Sequence, residues 1–336
     1  MRSSSGEDTS PAEILTLDSM KITRFFKRAF AAVWKNLVLW GIQLRVAHWG
    51  KNFLVFFPML YCGRGGDFGT FIRVCGLFAA FCLLSSAMYL VNDLVDLPCD
   101  CLHPRKKFRP LASGKIGKRG VRTLAVVLSA AAAGAAFFLG PSVQAVFCVY
   151  LLNTFAYIFF FRKTAVIDIL AIAAGFLLRL TAGAAVVNCR VSPVFFICVF
   201  IFCLFFTLAK RRAEAGLLEE HSADPASVRK VFAVYNSKNL DKILPAAAGI
   251  CVLAYSLPIL FFFTLYPGVS AYLLLGTIPP VLYCFFRYTQ IVTSGDNSGL
   301  FRVVISHKGI LGAATLWAFI SCLVISAQCF QWSPSG

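Results

Sequence analysis

Charged side chains are scarce in this chain, and acidic ones are the scarcest. Asp, Glu, Lys and Arg make up 14% of the 336 residues, whereas a soluble domain carries about 25%. Hydrophobic residues make up 59%, and the mean hydropathy is +0.76. This composition excludes a disordered chain, a fibrous repeat and an ordinary soluble α/β enzyme. We expect an all-α protein that crosses the lipid bilayer several times.

Histidine and regularly spaced cysteine are also in short supply. The chain has four His and thirteen Cys, and most of the cysteines stand singly inside apolar stretches. An odd number without framework spacing argues against a disulfide scaffold. Cys99 and Cys101 lie close together, but no second Cys or His pair completes a metal site. We interpret these two residues as small apolar side chains.

Long apolar runs locate the membrane helices, because about twenty apolar residues span the hydrocarbon core. The sequence predicts nine spans, at 43–61, 70–92, 121–139, 143–161, 165–185, 193–209, 243–263, 269–286 and 309–329. They form one domain over residues 43–330. No cleavable signal peptide is expected, since residues 1–20 are polar and acidic. We predict that this tail is disordered.

Residues 21–42 have the pattern of an amphipathic helix. Its apolar side would carry Phe25, Phe26, Phe30, Val33, Trp34, Leu37 and Trp40. Lys and Arg lie elsewhere around the same helix. We therefore predict a helix that lies in the membrane interface before the first span.

Basic residues are concentrated in alternate loops. Of the 32 Lys and Arg, 28 lie on one predicted side of the membrane, three lie on the other, and Arg179 lies within a predicted span. The positive-inside rule then puts the N-terminus in the cytoplasm and the C-terminus outside the cell (inner or plasma) membrane. The long polar loops at 93–120 and 210–242 become cytoplasmic. This distribution accounts for the net charge of +17 without a nucleic-acid partner.

The second predicted span ends in an acidic stripe. Asn92, Asp96 and Asp100 are spaced by four residues. Asp93 precedes Asp96 by three residues, so a continuing helix shows the whole set on one face. Pro98 is expected to bend the chain before Asp100. Clustered carboxylates need a cation, and hard oxygen ligands suit Mg²⁺. The stripe therefore predicts a magnesium site, and the alternative is a solvated helix end.

A basic run follows the acidic stripe directly. It begins with His103-Pro104 and puts four cations within ten residues of Asp100, among them Lys106 and Arg109. Taken alone, anchoring to acidic lipid explains such a run equally well. Beside a metal that carboxylates hold, however, Arg and Lys side chains would neutralise a diphosphate. The two motifs together favour an enzyme that acts on phosphorylated substrates at the cytoplasmic face.

These motifs resemble those of a known family. Asn-Asp-x-x-Asp-x-x-x-Asp at 92–100, followed by His-Pro-x-Lys-x-x-Arg-Pro at 103–110, is similar to the first motif of the UbiA-type intramembrane prenyltransferase superfamily. The His-Pro-x-Lys part of this sequence resembles the branch of decaprenyl-phosphate phosphoribosyltransferases. Other positions similar to that branch are Arg45, Trp49, Lys51, Asn52, Tyr157, Asp168, Gly175, Arg179, Gly183, Lys210, Arg211, Glu214, Tyr235, Arg287 and Tyr288. One departure is Arg162, where the branch usually has Lys.

The resemblance implies a nine-helix bundle around a cavity that opens to the cytoplasm and to lipid. It implies transfer of 5-phosphoribose from phosphoribosyl diphosphate to a polyprenyl phosphate of the decaprenyl type, with release of diphosphate. Mg²⁺ would be held by Asp93, Asp96 and Asp100, and the catalytic set would be Asp93, Asp96, Tyr157 and Arg162. The substrate-binding residues would be Lys51, Asn52, Asn92, Lys106, Arg109, Asp168, Arg179, Lys210 and Arg211.

Two other functions stay open. The superfamily's commoner reaction moves an isoprenyl chain from its diphosphate to an aromatic or other lipid acceptor, and the same aspartates would bind that diphosphate. A transporter is the other class, because Asp168 and Arg179 lie in one predicted span. They are eleven residues apart, hence on one helix face at about 16 Å, and either line one cavity or pair with other spans. The bilayer is a certain partner, and a homo-oligomer stays open.

Overall fold

The computed structural model describes residue 27 and residues 30–31, 33–220, 230–265, 268–296 and 300–331. All regular structure within these residues is helical. A helix at 33–43 and a 3₁₀ helix, Val46–Phe56, come first. The α-helices after them are α1 Phe57–Tyr61, α2 Phe68–Leu102, α3 Lys118–Leu139, α4 Pro141–Phe159, α5 Ile167–Val187, α6 Pro193–Glu220, α7 Ser237–Leu265, α8 Val269–Gly276, α9 Ile278–Thr293, α10 Leu300–Ser306 and α11 Lys308–Gln331.

Seven helical stretches in the described part of the chain are long and apolar enough to cross a membrane. They are Phe68–Leu102, Lys118–Leu139, Pro141–Lys163, Ile167–Val187, Pro193–Glu220, Ser237–Phe261 and Val269–Thr293. The all-helical membrane fold is confirmed, whereas the count of nine spans stays a prediction. The first predicted span is broken, because a 3₁₀ helix precedes α1 and Pro58 begins a new helix there. The described apolar part of the last span, Lys308–Val324, is shorter than the seven.

Two helices extend beyond the spans predicted for them. α2 continues through Pro98 to Leu102, so the proline does not end the helix before Asp100. A proline inside a helix removes one backbone hydrogen bond, but aspartates on both sides of Pro98 are held by ion pairs with the basic residues described below. α6 likewise continues to Glu220, so the predicted loop at 210–242 begins as helix.

The helices pack in two groups that meet at α5 and α6. α2 contacts α3 and α5, and the 3₁₀ helix Val46–Phe56 lies against both α2 and α5. In the second group, α7 contacts α6 and α9, and α11 contacts α8 and α9. Each group buries its own apolar core, one around Phe81 and Leu84 and the other around Phe205 and Phe285. The contact between α5 and α6 therefore joins the two halves of the bundle.

The amphipathic helix predicted at 21–42 is described only in part. Residues 33–43 are helical, and Trp34 and Leu37 are exposed. Trp40 instead packs against a core cluster at the ends of α2 and α3. Exposed aromatic and aliphatic side chains on a docked helix suit a position at the membrane surface. The predicted disordered tail at 1–20 lies outside the described residues.

A close approach between α5 and the 3₁₀ helix requires glycine at position 183. A Cβ atom on Gly183 would overlap the backbone carbonyl of Val55. We expect Gly183→Ala to lower the free energy of unfolding by about 1–3 kcal/mol, because the two backbones would have to separate. The control is Gly134→Ala in α3, where nothing lies within 4 Å of an added Cβ. Thermal unfolding in detergent compares the variants, and equal midpoints would contradict this packing.

One disulfide bond joins two of the described cysteines, Cys62 and Cys189, whose Cα atoms are 6.4 Å apart. Nine others carry free thiols, namely Cys75, Cys82, Cys99, Cys101, Cys148, Cys198, Cys203, Cys251 and Cys284. The sequence predicts no disulfide scaffold, and it does not predict this bond either. The single bond has no signal in cysteine spacing, since its partners are 127 residues apart.

Candidate functional site

The polar residues of the sequence motifs converge at one end of the helix bundle. The last turns of α2 carry the three aspartates, and the loop after α2 carries the basic run. The first turn of α5 carries Asp168, which meets Arg211 of α6. Arg45, just before the 3₁₀ helix, reaches Asp93. Five parts of the chain thus place their charged side chains in one region.

Asp93 and Asp100 are buried on one face of α2, at 3% and 4% exposure. Gln43 Nε2 donates to Asp93 Oδ2 at 2.9 Å, and Arg45 forms an ion pair with the same carboxylate. Arg109 Nη1 lies 3.2 Å from Asp93 Oδ1 and 2.6 Å from Asp100 Oδ2. Two arginines therefore offset the charge of two buried carboxylates that would otherwise repel each other.

Asp96, the middle aspartate of the stripe, is 4% exposed and pairs with Arg162. Asn92 Nδ2 donates to its other carboxylate oxygen at 3.1 Å. Arg162 lies just after α4, so this ion pair ties the end of α4 to the end of α2. The structure thus brings Asn92, Asp96 and Arg162 together, although they come from two separate motifs.

A second group of charges surrounds Arg211 on α6. Its guanidinium lies 2.8 Å from Asp168 and donates to the Tyr157 hydroxyl at 3.3 Å. The Tyr235 hydroxyl donates to Asp168 at 3.0 Å and accepts the Val166 amide at 2.6 Å. Burial raises the pKa of Tyr235 to about 12, so this hydroxyl keeps its proton at neutral pH. Asp168 thereby orients Arg211, which in turn contacts Tyr157.

Glu214 links the basic run to α6. Its carboxylate pairs with Lys106 and with Arg211, the latter at 3.3 Å, and lies 3.8 Å from His103. Glu214 belongs to one of the motifs that resemble the family, but the sequence predicts no role for it. Its three-residue spacing from Arg211 predicts their contact on one helix face. The contact with Lys106 joins residues 108 positions apart, and no sequence pattern indicates it.

Lys51 and Lys210 differ from the other cations of the site, because neither forms an ion pair with any described residue. Lys210 is exposed to solvent. The positive charges of Lys51, Arg45 and Arg211 repel it. Lys51 also borders an apolar cleft of about 320 Å³ between the 3₁₀ helix, α5 and α6, with Phe176 in its wall. Cations beside an apolar cleft suit a phosphate group attached to a hydrocarbon chain.

Arg179 lies within α5 in a separate polar network. Its guanidinium donates to Asn52 Oδ1 at 2.7 Å, to the Tyr150 hydroxyl at 2.9 Å and to the Gly175 carbonyl at 2.6 Å. These contacts hold α4, α5 and the 3₁₀ helix together, and Asp168 has other partners. The predicted roles of Arg179 and Asn52 in binding substrate stay predictions.

The oxygen donors of Asp93, Asp96 and Asp100 suit a hard divalent cation such as Mg²⁺. Over the residues that the structure describes, no three His, Cys, Asp or Glu side chains are grouped to hold an ion. Each of the three aspartates is instead paired with an arginine. The donor chemistry therefore fits a cation that substrate oxygens share, and it does not fit a closed cage of protein ligands.

Comparison with known proteins indicates the family. The model of the UbiA prenyltransferase family matches residues 52–308. The decaprenyl-phosphate phosphoribosyltransferase of Corynebacterium glutamicum is 31% identical over 297 residues, which cover 87% of this chain and 88% of that protein. The protein of the same name from Mycobacterium tuberculosis is 34% identical over 227 residues, which cover 66% of this chain and 74% of that one.

Solved structures agree with this assignment at the level of the fold. A UbiA homologue from Archaeoglobus fulgidus, bound to DMAPP and Mg²⁺, matches with a TM-score of 0.61 and 18% identity, over 85% of this chain and 98% of that chain. A UbiA homologue from Aeropyrum pernix matches with a TM-score of 0.53 and 15% identity, over 83% and 94%. At these identities the likeness shows the fold alone. The family match and the sequence relatives show that this chain belongs to the UbiA prenyltransferase family.

Proposed function

We propose that this protein transfers a 5-phosphoribosyl group from phosphoribosyl diphosphate to a polyprenyl phosphate and releases diphosphate. Family membership makes it a transferase of the membrane. Two relatives at 31% and 34% identity are named decaprenyl-phosphate phosphoribosyltransferase, which supports this choice of substrates. The charges of the site supply the independent argument.

The excess of positive charge at the site carries the proposal. Seven cations and five carboxylates meet there. The cations are Arg45, Lys51, Lys106, Arg109, Arg162, Lys210 and Arg211, and the carboxylates are Asp93, Asp96, Asp100, Asp168 and Glu214. Phosphoribosyl diphosphate brings a 5-phosphate and a diphosphate, and the lipid adds another phosphate. Binding three phosphorylated groups needs more positive charge than binding a single isoprenyl diphosphate.

The cations divide between the two substrates. Lys106, Arg109 and Arg162 would bind phosphate oxygens of the sugar donor, exchanging their present carboxylate partners for them. Lys51 and Lys210, which form no ion pair with a carboxylate among the described residues, would bind the phosphate of the lipid. The apolar cleft beside Lys51 would then receive the first part of the polyprenyl chain.

The reaction needs orientation and charge neutralisation more than proton transfer. A phosphate oxygen of the lipid forms a bond to C1 of the ribose, and the bond from C1 to diphosphate breaks with its electron pair on the diphosphate. The attacking phosphate is already an anion near neutral pH, so no general base is required. Arg162 and Arg211 stabilise the departing charge, and the hydroxyl of Tyr157 positions the donor beside them.

Magnesium is part of the proposal. When bound at Asp93, Asp96 and Asp100, Mg²⁺ supplies Lewis-acid stabilisation of the leaving diphosphate. Mg²⁺ commonly binds through one or two carboxylates together with substrate phosphates. This mode of coordination suits Asp93, Asp96 and Asp100, because they are buried on one helix face and lie among side chains that can bind phosphate.

The experiment compares donors with purified protein in detergent. With Mg²⁺ and a polyprenyl phosphate present, we expect diphosphate release from phosphoribosyl diphosphate and none from an isoprenyl diphosphate. Omission of the polyprenyl phosphate should stop release, which separates transfer from simple hydrolysis. Release from an isoprenyl diphosphate with an aromatic acceptor, and none with the sugar donor, would replace this proposal by the commoner reaction of the family.

A further inference from the structure

The end of the bundle opposite the candidate site holds a covalent link. Cys62 follows α1 and Cys189 follows α5, and the two are joined by a disulfide bond. Asn188 ends α5 in the left-handed conformation, with φ of 54°. The next amide, that of Cys189, donates back to the Ala184 carbonyl at 3.0 Å. This helix end therefore turns the chain so that Cys189 points toward Cys62.

Other contacts accompany the disulfide at this end. The Arg64 guanidinium donates to the Val187 carbonyl at 3.0 Å. Phe195 at the start of α6 stacks on Phe57, with ring centroids 4.5 Å apart, and lies 5.7 Å from the Tyr61 ring. The disulfide thus belongs to a packed junction of α1, α5 and α6. The 3₁₀ helix that runs into α1 forms, together with α5 and α6, the walls of the apolar cleft.

The length of α5 separates this junction from the candidate site. Asp168 lies in the first turn of α5, and Cys189 lies just beyond its end, 21 residues later. A helix of that length is about 31 Å long, which is close to the thickness of the hydrocarbon core. The two ends therefore face opposite sides of the membrane. Disulfides persist in oxidising compartments and are rare in the reducing cytosol.

We propose that the Cys62–Cys189 bond forms on the outer, oxidising side of the membrane. There it acts as a latch, which means that it holds the 3₁₀ helix that lines the cleft against α5. The two thiols lose two protons and two electrons, and a protein disulfide of the thiol-exchange class on that side accepts them as a dithiol. The position of this bond indicates the membrane orientation independently of the basic-residue count, and it places the aspartates on the cytoplasmic side. This inference does not depend on the proposed substrates.

Differential alkylation tests the bond. Protein purified without reductant is denatured and treated with one thiol reagent, then reduced and treated with a second. Peptides with Cys62 and Cys189 should carry the second label alone, whereas Cys148, an exposed cysteine of α4, should carry the first. Labelling of Cys62 and Cys189 by the first reagent would overturn the proposal.

Intact cells test the orientation. A reductant that cannot cross membranes should open the bond in whole cells, so that an impermeant maleimide then labels both residues. Opening in inverted vesicles and not in cells would overturn the assignment of this end to the outside.

Variants test the latch. Cys62→Ser and Cys189→Ser should lower the unfolding temperature by equal amounts, and the double variant should lower it no further. Reductant should lower the midpoint of the parent and of Cys148→Ser, but not that of the double variant. Unchanged unfolding midpoints in all of the cysteine variants would show that the bond does not hold the 3₁₀ helix against α5.

Discussion

Asp93→Asn and Asp96→Asn should each lower turnover by about 10²- to 10³-fold, the effect typical of losing one group that stabilises developing charge. Each aspartate is buried on the same face of α2, and each pairs with an arginine. Asparagine keeps the shape of the side chain but removes the negative charge that a divalent cation needs. The rate is measured as a function of Mg²⁺ concentration, and residual activity should require more Mg²⁺ than the parent does.

The same helix offers a matched control. Asp67 caps the N-terminus of α2 at the opposite end, accepts the Gly69 amide at 3.0 Å and is exposed. Asp67→Asn preserves a favourable cap and should leave turnover unchanged. Unfolding midpoints show which variants stay folded at the assay temperature. Near-parental turnover and an unchanged Mg²⁺ requirement in folded Asp93→Asn and Asp96→Asn would mean that these aspartates only hold arginines.

Lys106→Gln and Arg162→Gln should weaken binding of phosphoribosyl diphosphate by about ten- to a hundredfold. One charge-assisted hydrogen bond is worth about 1.5–3 kcal/mol, and about 1.4 kcal/mol corresponds to a factor of ten in affinity. The sugar donor carries more phosphate than the lipid, so binding of polyprenyl phosphate should change less. Titration of each substrate separately, by calorimetry in detergent, measures the two affinities.

Two further variants make this comparison specific. Arg162→Lys keeps the charge and restores the residue usual for the phosphoribosyltransferase branch, so it should retain most activity. Lys118→Gln changes an exposed lysine at the start of α3 and should leave both affinities unchanged. Unchanged donor binding in Lys106→Gln and Arg162→Gln, with impaired use of an isoprenyl diphosphate, would favour the aromatic prenyltransferase alternative.

Hydropathy predicts most of the fold, because membrane helices must bury apolar side chains in lipid and satisfy their own backbone. The helices from α2 to α9 lie close to the predicted spans. The first span differs, since polar residues such as Asn52 turn inward to bind Arg179. It is also divided between the 3₁₀ helix and the short α1, whose first turn holds Pro58. Pro98 does not end α2, and the aspartates on both sides of it form ion pairs with arginines.

The candidate site is only partly predictable from sequence. Helical spacing places the aspartates on one face, and the loop that follows brings Arg109 beside them. Gln43 and Glu214 received no predicted role, because their partners Asp93 and Lys106 come from distant segments that only the folded bundle brings together. The disulfide could not be predicted either, because Cys62 and Cys189 also come from distant segments. Spacing rules detect contacts within one helix, whereas these contacts join separate elements.

The lipid product of the reaction tests the central claim most directly. Purified protein with Mg²⁺, polyprenyl phosphate and phosphoribosyl diphosphate labelled in its ribose should yield a lipid that is heavier by one labelled phosphoribosyl group, as mass spectrometry would show, together with an equal amount of diphosphate. Asp96→Asn protein should yield little of either product. A lipid pool without labelled ribose, and a prenylated aromatic acceptor formed by the same protein from an isoprenyl diphosphate, would contradict the account.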